Sequence, residues 1–311
     1  MNSLINDVLG SVNKILLGKE QHVKLALACL LAKGHLLIED LPGMGKTTLA
    51  HGLAKVLGLE YERVQFTSDL LPADILGVSV FDRDAGNFRF HEGPIFTHVL
   101  LADEINRTTP KTQSALLEAM EEKQVSIEGE TRQLPHPFFV IATQNPLSQA
   151  GTYPLPESQL DRFLMRISLG YPNHDSERLL LQGIDPRARL KDLKPEITLQ
   201  QLFDLQQRVE QVKATDQVLD YLQRLVNFTR TDEAFAFGLS PRGTIALLRA
   251  AKAWALLHDR EYVIPEDIQI VMPCVVEHRV KGVHAEVPAR LSQQHSGLVG
   301  YMLSKVDVVE R

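Results

Sequence analysis

Cysteine is scarce here: 311 residues hold two, Cys29 and Cys274, far apart and each inside an apolar stretch of helical period. That excludes a disulfide framework and any C-x-x-C site, and it fits a reducing compartment. Both read as small buried hydrophobes. Positive charge is short as well, with 33 Lys and Arg against 39 Asp and Glu and a formal net charge of −6. Aromatics make up 6%. No Lys/Arg-rich stripe is interleaved with them, which counts against a nucleic-acid partner. The apolar run Leu25–Ala32 falls far below the ~20 residues of a bilayer span. The opening MNSLINDVLGSVNKILLGKE lacks the basic, apolar, small-residue order of a secretory signal. The expectation is a soluble, cytoplasmic chain without a membrane span. The eleven histidines show no H-x-x-x-H spacing and no G-x-S-x-G appears, so neither a transition-metal site nor a serine nucleophile is argued.

What is present is ordinary for a globular protein: 44% hydrophobic and 23% charged residues. At roughly 150 residues per domain the length allows about two, and the texture changes near residue 170. Before it, apolar runs HLLIED (35–40), YERVQF (61–66), HVLLADE (98–104), FFVIATQ (138–144) and FLMRISL (163–169) alternate with helix-period segments such as 48–57 and 112–123. Near-continuous apolar strands separated by helices predict a parallel sheet covered on both faces. After GYPNHD (170–175), segments 176–182, 199–212, 215–230, 240–259 and 265–280 read as amphipathic helices, several opened by Ser, Thr or Pro–Glu. The predicted fold class is α/β: a core of alternating strands and helices over 1–172 and an all-helical second domain over 173–311. Alternation around Asp84–Asn87 and around Glu128–Glu130 adds two β-hairpins, near 75–93 and 124–135.

The sharpest motif is LPGMGKTTLA (41–50), between a strand and a helix. Gly43 and Gly45 let backbone N–H groups turn inward as an anion nest, and the helix N-terminus adds its positive end. Pro42, Met44 and Thr48 complete the loop, Lys46 reaches the outer phosphates, and Thr47 supplies a hydroxyl for Mg²⁺. The P-loop pattern wants glycine at position 40, where this chain has Asp40, a residue tolerant of unusual backbone angles. The strand at 99–102 delivers Asp103, placed for the Mg²⁺ shell, and Glu104, placed to polarise a water. Asn145 ends a third buried strand and could touch the terminal phosphate. ATP hydrolysis is the expectation.

LPGMGKTT, LLADEINR, FFVIATQNP, GTYPLPESQLDRF and GLSPRGT together resemble the MoxR family of AAA+ ATPases, in order and spacing across nearly the whole chain. The resemblance implies an AAA+ core with a helical lid, bound ATP and Mg²⁺, and a homo-oligomeric ring, usually hexameric, with ATP between subunits. It implies that Lys46 and Thr47 belong to Walker A, Asp103 and Glu104 to Walker B, and Asn145 to sensor 1. Arg162 matches the arginine finger and Arg242 sensor 2; Arg107 is a weaker candidate for an intersubunit contact, against a plain salt bridge. The hairpins match the helix-2 and pre-sensor-1 inserts, which engage substrate or partner. The implied role is a chaperone-like remodelling or maturation factor acting on a protein client, with a von Willebrand factor A-domain protein as partner. The alternatives are a chelatase-like motor for metal insertion, a nucleic-acid-associated regulator, and a scaffold that binds ATP but barely turns it over.

Overall fold

The computed structural model describes residues 2–84, 86–145, 151–183, 186–283 and 297–309. Two helices, α1 (Asn2–Asn13) and α2 (Glu20–Leu31), lead into β1 (Leu36–Glu39), α3 (Lys46–Val56) and β2 (Tyr61–Gln65). Then come α4 (Pro72–Leu76), a hairpin of β3 (Gly77–Asp82) and β4 (Asn87–Glu92), β5 (Val99–Asp103) and α5 (Pro110–Glu122). A second hairpin, β6 (Gln124–Ile127) and β7 (Glu130–Gln133), precedes β8 (Phe139–Gln144), α6 (Glu157–Leu160) and β9 (Met165–Ile167). The rest is α7 (His174–Leu181), α8 (Leu199–Gln211), α9 (Asp216–Thr231), β10 (Phe235–Phe237), α10 (Pro241–Leu257), α11 (Pro265–Val276), β11 (Lys281–Gly282) and α12 (Gly297–Lys305).

The five predicted strands form one parallel sheet in the order β2-β5-β8-β1-β9. Side chains alternate between its two faces, as the pleat demands. Val99, Leu101, Phe139 and Ile141 join an apolar cluster with α1–α3 and the later helices. Leu100, Ala102, Val140 and Ala142 join another with α5, Phe66 and Phe163. Strands β5 and β8 are buried throughout, whereas the edge strand β2, YERVQ, is mostly exposed and carries charges that blunt the edge. The chain leaves β1 for the far edge and later steps from β8 across β1 to β9. That reversal opens a crevice at the C-terminal ends of β1 and β8, the usual ligand position in such sheets.

Two of the later helices start at predicted caps, where the hydroxyls of Thr215 and Ser240 accept from the N–H groups of Val218 and Gly243. Thr198, one residue ahead of its predicted segment, caps α8 by accepting from the Gln201 N–H. To these helices the structure adds the antiparallel ribbon β10–β11, too short to announce itself in the sequence. Both hairpins form. Strands β6 and β7 are joined by Glu128 and Gly129, both at positive φ (54° and 81°), the backbone a two-residue turn requires. On β3–β4, Phe81 and Phe88 meet edge-on at 5.3 Å, and Val78, Val80, Phe81 and Phe88 are exposed.

Candidate functional site

The loop from β1 to α3 bends at Gly43 (φ 87°) and Gly45 (φ 92°), left-handed conformations that carry little cost only for glycine. A Cβ on Gly45 would also meet Leu16 Cδ1 at 2.8 Å. Lys46, the first residue of α3, is buried and donates to the Asp40 carbonyl at 2.5 Å and to Asn145 Oδ1 at 3.1 Å. Burial pushes its ammonium below the ordinary lysine pKa, against the opposing pull of Asp40, Asp103 and Glu104. Asp40 itself is not at positive φ, so the position makes no demand for glycine or for a tolerant residue. Its carboxylate instead accepts from the N–H of Leu41 (3.0 Å) and Gly170 (2.7 Å) and from Ser168 Oγ (3.3 Å). The start of the phosphate loop is thereby tied to the chain leaving the sheet.

Strand β5 brings its two carboxylates to the same crevice. Thr143, on the adjacent β8, donates to Asp103 Oδ1 at 2.6 Å and accepts from the Glu104 N–H at 2.9 Å. Asp103 Oδ2 takes both Arg63 Nε (3.2 Å) and Nη2 (2.7 Å) from the middle of β2. Glu104 sits in the left-handed region (φ 56°, ψ 49°), a costly backbone for a residue with a Cβ and one that concentrates at functional sites. Its oxygens accept from Asn145 Nδ2 (2.9 Å), Gln65 Nε2 (3.1 Å) and Arg107 Nη1 (2.9 Å). Within the chain, then, Arg107 is ion-paired with Glu104.

The cleft measures about 390 Å³, and Pro42, Gly43, Gly45, Lys46, Thr47, Thr48, Asp103, Glu104 and Asn145 line it with His51, Arg63 and Gln65. Met44 packs on the apolar core instead. Inward glycine turns, a lysine and a helix N-terminus suit a polyphosphate. Among the described residues no group of three or more His, Cys, Asp or Glu side chains is placed to hold a metal alone. The hard oxygens of Thr47 and Asp103 fit Mg²⁺, which is commonly held by one or two protein oxygens together with phosphate.

Arg162 and Arg242 lie elsewhere. They line a separate cleft of about 520 Å³ with Lys33, His35, Lys123, Arg249 and Arg279. There Glu121 joins them, with Oε2 3.1 Å from Arg162 Nε and Oε1 hydrogen-bonded to Arg242 Nη2. Lys33–His35 precede β1, Leu164 precedes β9, and Glu121 lies in the last turn of α5, so this cleft opens at the N-terminal edge of the sheet. The phosphate loop is at the C-terminal edge, four to six residues of strand away, about 13–20 Å at ~3.3 Å per residue.

Sequence reasoning missed Arg63, Gln65, Thr143, Glu121, Asp161 and Arg279. Thr143 left a signal, a polar residue in the apolar run FVIATQ. The others are charged or polar residues on helices, an edge strand or turns, and only the fold distinguishes them from solvent-facing neighbours.

The profile of the ATPase family associated with various cellular activities (AAA) matches residues 35–165, and that of the AAA lid domain matches residues 227–295. The chain is 46% identical over 298 residues to the uncharacterized protein YeaC of Bacillus subtilis, covering 93% of each. It is 41% identical over 280 residues to Chaperone MoxR1 of Mycobacterium tuberculosis, covering 86% of this chain and 73% of that one. The 2.00 Å crystal structure of a Cytophaga hutchinsonii protein, which carries the designation of an inferred ATPase, superposes with a TM-score of 0.87. It is 35% identical, and the match covers 99% and 96% of the two chains. An alternating sheet with a glycine-turned phosphate loop, a helical second part, and relatives of this similarity over most of their length lead to one assignment: this ATPase belongs to the MoxR family of the AAA+ proteins.

Proposed function

We propose that this ATPase works as a ring of identical subunits, hexameric as in the family, in which each phosphate site is completed by a neighbour. The carrying observation is the separation of Arg162 and Arg242 from Lys46 by the length of the sheet. An arginine side chain cannot reach around its own sheet, so two guanidinium groups at the N-terminal edge meet phosphate only in a second copy. Core (1–172) and lid (173–311) divide at GYPNHD, and the core side of that boundary is tied down by Lys19 Nζ, which donates to the carbonyls of Leu169 and Tyr171.

Within one subunit the residues divide the work. The loop from Pro42 to Thr48 and Lys46 bind the triphosphate of ATP; Thr47 and Asp103 would hold Mg²⁺, which when bound neutralises phosphate charge. Thr143 keeps Asp103 and the Glu104 backbone in register. Glu104 orients the attacking water and accepts its proton at a carboxylate oxygen, one of which must first lose a hydrogen bond from Asn145, Gln65 or Arg107. Arg162 and Arg242 of the adjacent copy meet the charge spread over the phosphoryl oxygens. Such a finger is worth roughly 10³–10⁵ in turnover in other P-loop enzymes. Glu121 holds the two arginines together until phosphate replaces it.

The work done with this hydrolysis is remodelling or maturation of a protein client in the cytoplasm, with a von Willebrand factor A-domain protein as partner. The exposed Val78, Val80, Phe81 and Phe88 of the β3–β4 hairpin form an apolar surface suited to engaging it. The test of the shared site is complementation. Arg162→Ala should bind nucleotide but lose hydrolysis, and mixing it with inactive Lys46→Ala should restore activity. No rescue at any ratio refutes the shared site.

A further inference from the structure

Arg162 is carried on a turn, residues 161–164, between α6 and β9, and that turn is gripped from the lid. Arg279 follows the end of α11, and its side chain is 3% exposed. Its guanidinium has five N–H donors. Nε donates to Asp161 Oδ1 (2.7 Å), and Nη2 donates to the carbonyls of Asp161 (3.1 Å) and Phe163 (2.6 Å). Nη1 donates to the carbonyls of Leu164 (3.2 Å) and Val275 (2.5 Å). His278 Nε2 lies 3.1 Å from the same Phe163 carbonyl and 2.7 Å from Arg279 Nη1. The fork therefore holds the chain on both sides of residue 162 and leaves the Arg162 side chain free to run to Glu121. With its donors engaged and its side chain buried, Arg279 has nothing left to offer a phosphate.

We propose that Arg279 is the positioning residue of Arg162: the lid sets where the finger points, so any tilt of α11 against the sheet is transmitted to the neighbour's phosphate. This rests on the shared-site reading above. A buried guanidinium meeting four carbonyls and a carboxylate cannot be replaced by a lysine, whose three donors radiate from one point. Misplacing a catalytic group by about 1 Å costs on the order of 10²-fold in rate.

Arg279→Lys, and separately Asp161→Ala, which loosens the same clamp from its more exposed side, are assayed in the full-length protein beside Arg162→Ala. Three readouts are taken: affinity for a fluorescent ATP analogue, kcat and KM for ATP, and rescue by Lys46→Ala. Arg279→Lys is expected to lose roughly 10²-fold and Asp161→Ala roughly 3–10-fold in kcat. Nucleotide affinity and KM should stay within about twofold, because each variant's own phosphate site is intact. Mixing with Lys46→Ala should restore activity, because that subunit contributes a correctly held Arg162. A merely structural role would lower nucleotide affinity and give no rescue. If Arg162→Ala is rescued while the clamp variants keep parental kcat, lose nucleotide affinity or resist rescue, the positioning role is overturned alone. If Arg162→Ala is not rescued either, the shared site falls and takes this inference with it.

Discussion

Asp40→Gly sets the motif against the structure. The substitution restores the glycine that the P-loop pattern asks for, so motif reasoning expects a tighter and sturdier loop. The structure expects the reverse. Asp40 is 8% exposed, and its carboxylate takes the Gly170 N–H at 2.7 Å, the Leu41 N–H at 3.0 Å and the Ser168 hydroxyl at 3.3 Å. Hydrogen bonds to a charged group contribute about 1.5–3 kcal/mol, and glycine's freedom in the unfolded chain adds about 0.4–1 kcal/mol. The expected loss is about 2–4 kcal/mol. With about 2.1 cal/mol/K of unfolding entropy per residue over 311 residues, each kcal/mol lowers the melting temperature by about 1.5 °C, giving a drop of about 3–6 °C. Thermal melts without nucleotide measure it, with Asp40→Asn as an intermediate that keeps part of the acceptor. A glycine variant at least as stable as the parent would refute the reasoning and return position 40 to the motif's logic.

Two further outcomes are expected. Glu104→Gln keeps the shape of the site and its positive-φ backbone, so it should bind ATP normally while hydrolysis falls by roughly 10²–10⁴; equal single-turnover rates would remove Glu104 from the mechanism. Acid sensitivity should trace to His35, whose Nδ1 accepts from the Val140 N–H (2.9 Å) while Nε2 faces the Met120 carbonyl (3.2 Å). Burial pushes its pKa from 6.5 to about 4. Between those values the unfolded chain binds the proton and the fold does not. The stability is therefore complete above pH 6.5 and declines toward pH 4, by about 3 kcal/mol at 1.36 kcal/mol per unit. Buried His278 acts in the same direction. Urea midpoints should fall across this window and fall less in His35→Gln; a flat parental profile rules the assignment out.

Much of the site was legible in the chain because its parts are local. Gly43, Gly45, Lys46 and Thr47 are consecutive or nearly so, and they need only a strand before and a helix after. Asp103, Glu104 and Asn145 sit where apolar runs end, and a buried strand must end at the surface. The same locality exposed the hairpins through alternation and the lid helices through their caps. It also misled at Asp40: the pattern assigns a backbone role, whereas the residue serves through its side chain, to partners 128 and 130 residues away.

The sequence by itself therefore determined the parallel sheet, the phosphate loop, the acidic strand end and the helical second part. Each follows from the period of apolar residues or from a short run of backbone geometry. Only the tertiary structure decided that Arg162 and Arg242 share Glu121 on the edge of the sheet opposite Lys46, and that Arg279 of the lid grips the turn that carries Arg162. The physical reason is that strand direction fixes which end of a sheet a residue occupies, and no spacing along the chain encodes which distant charged groups that end will collect.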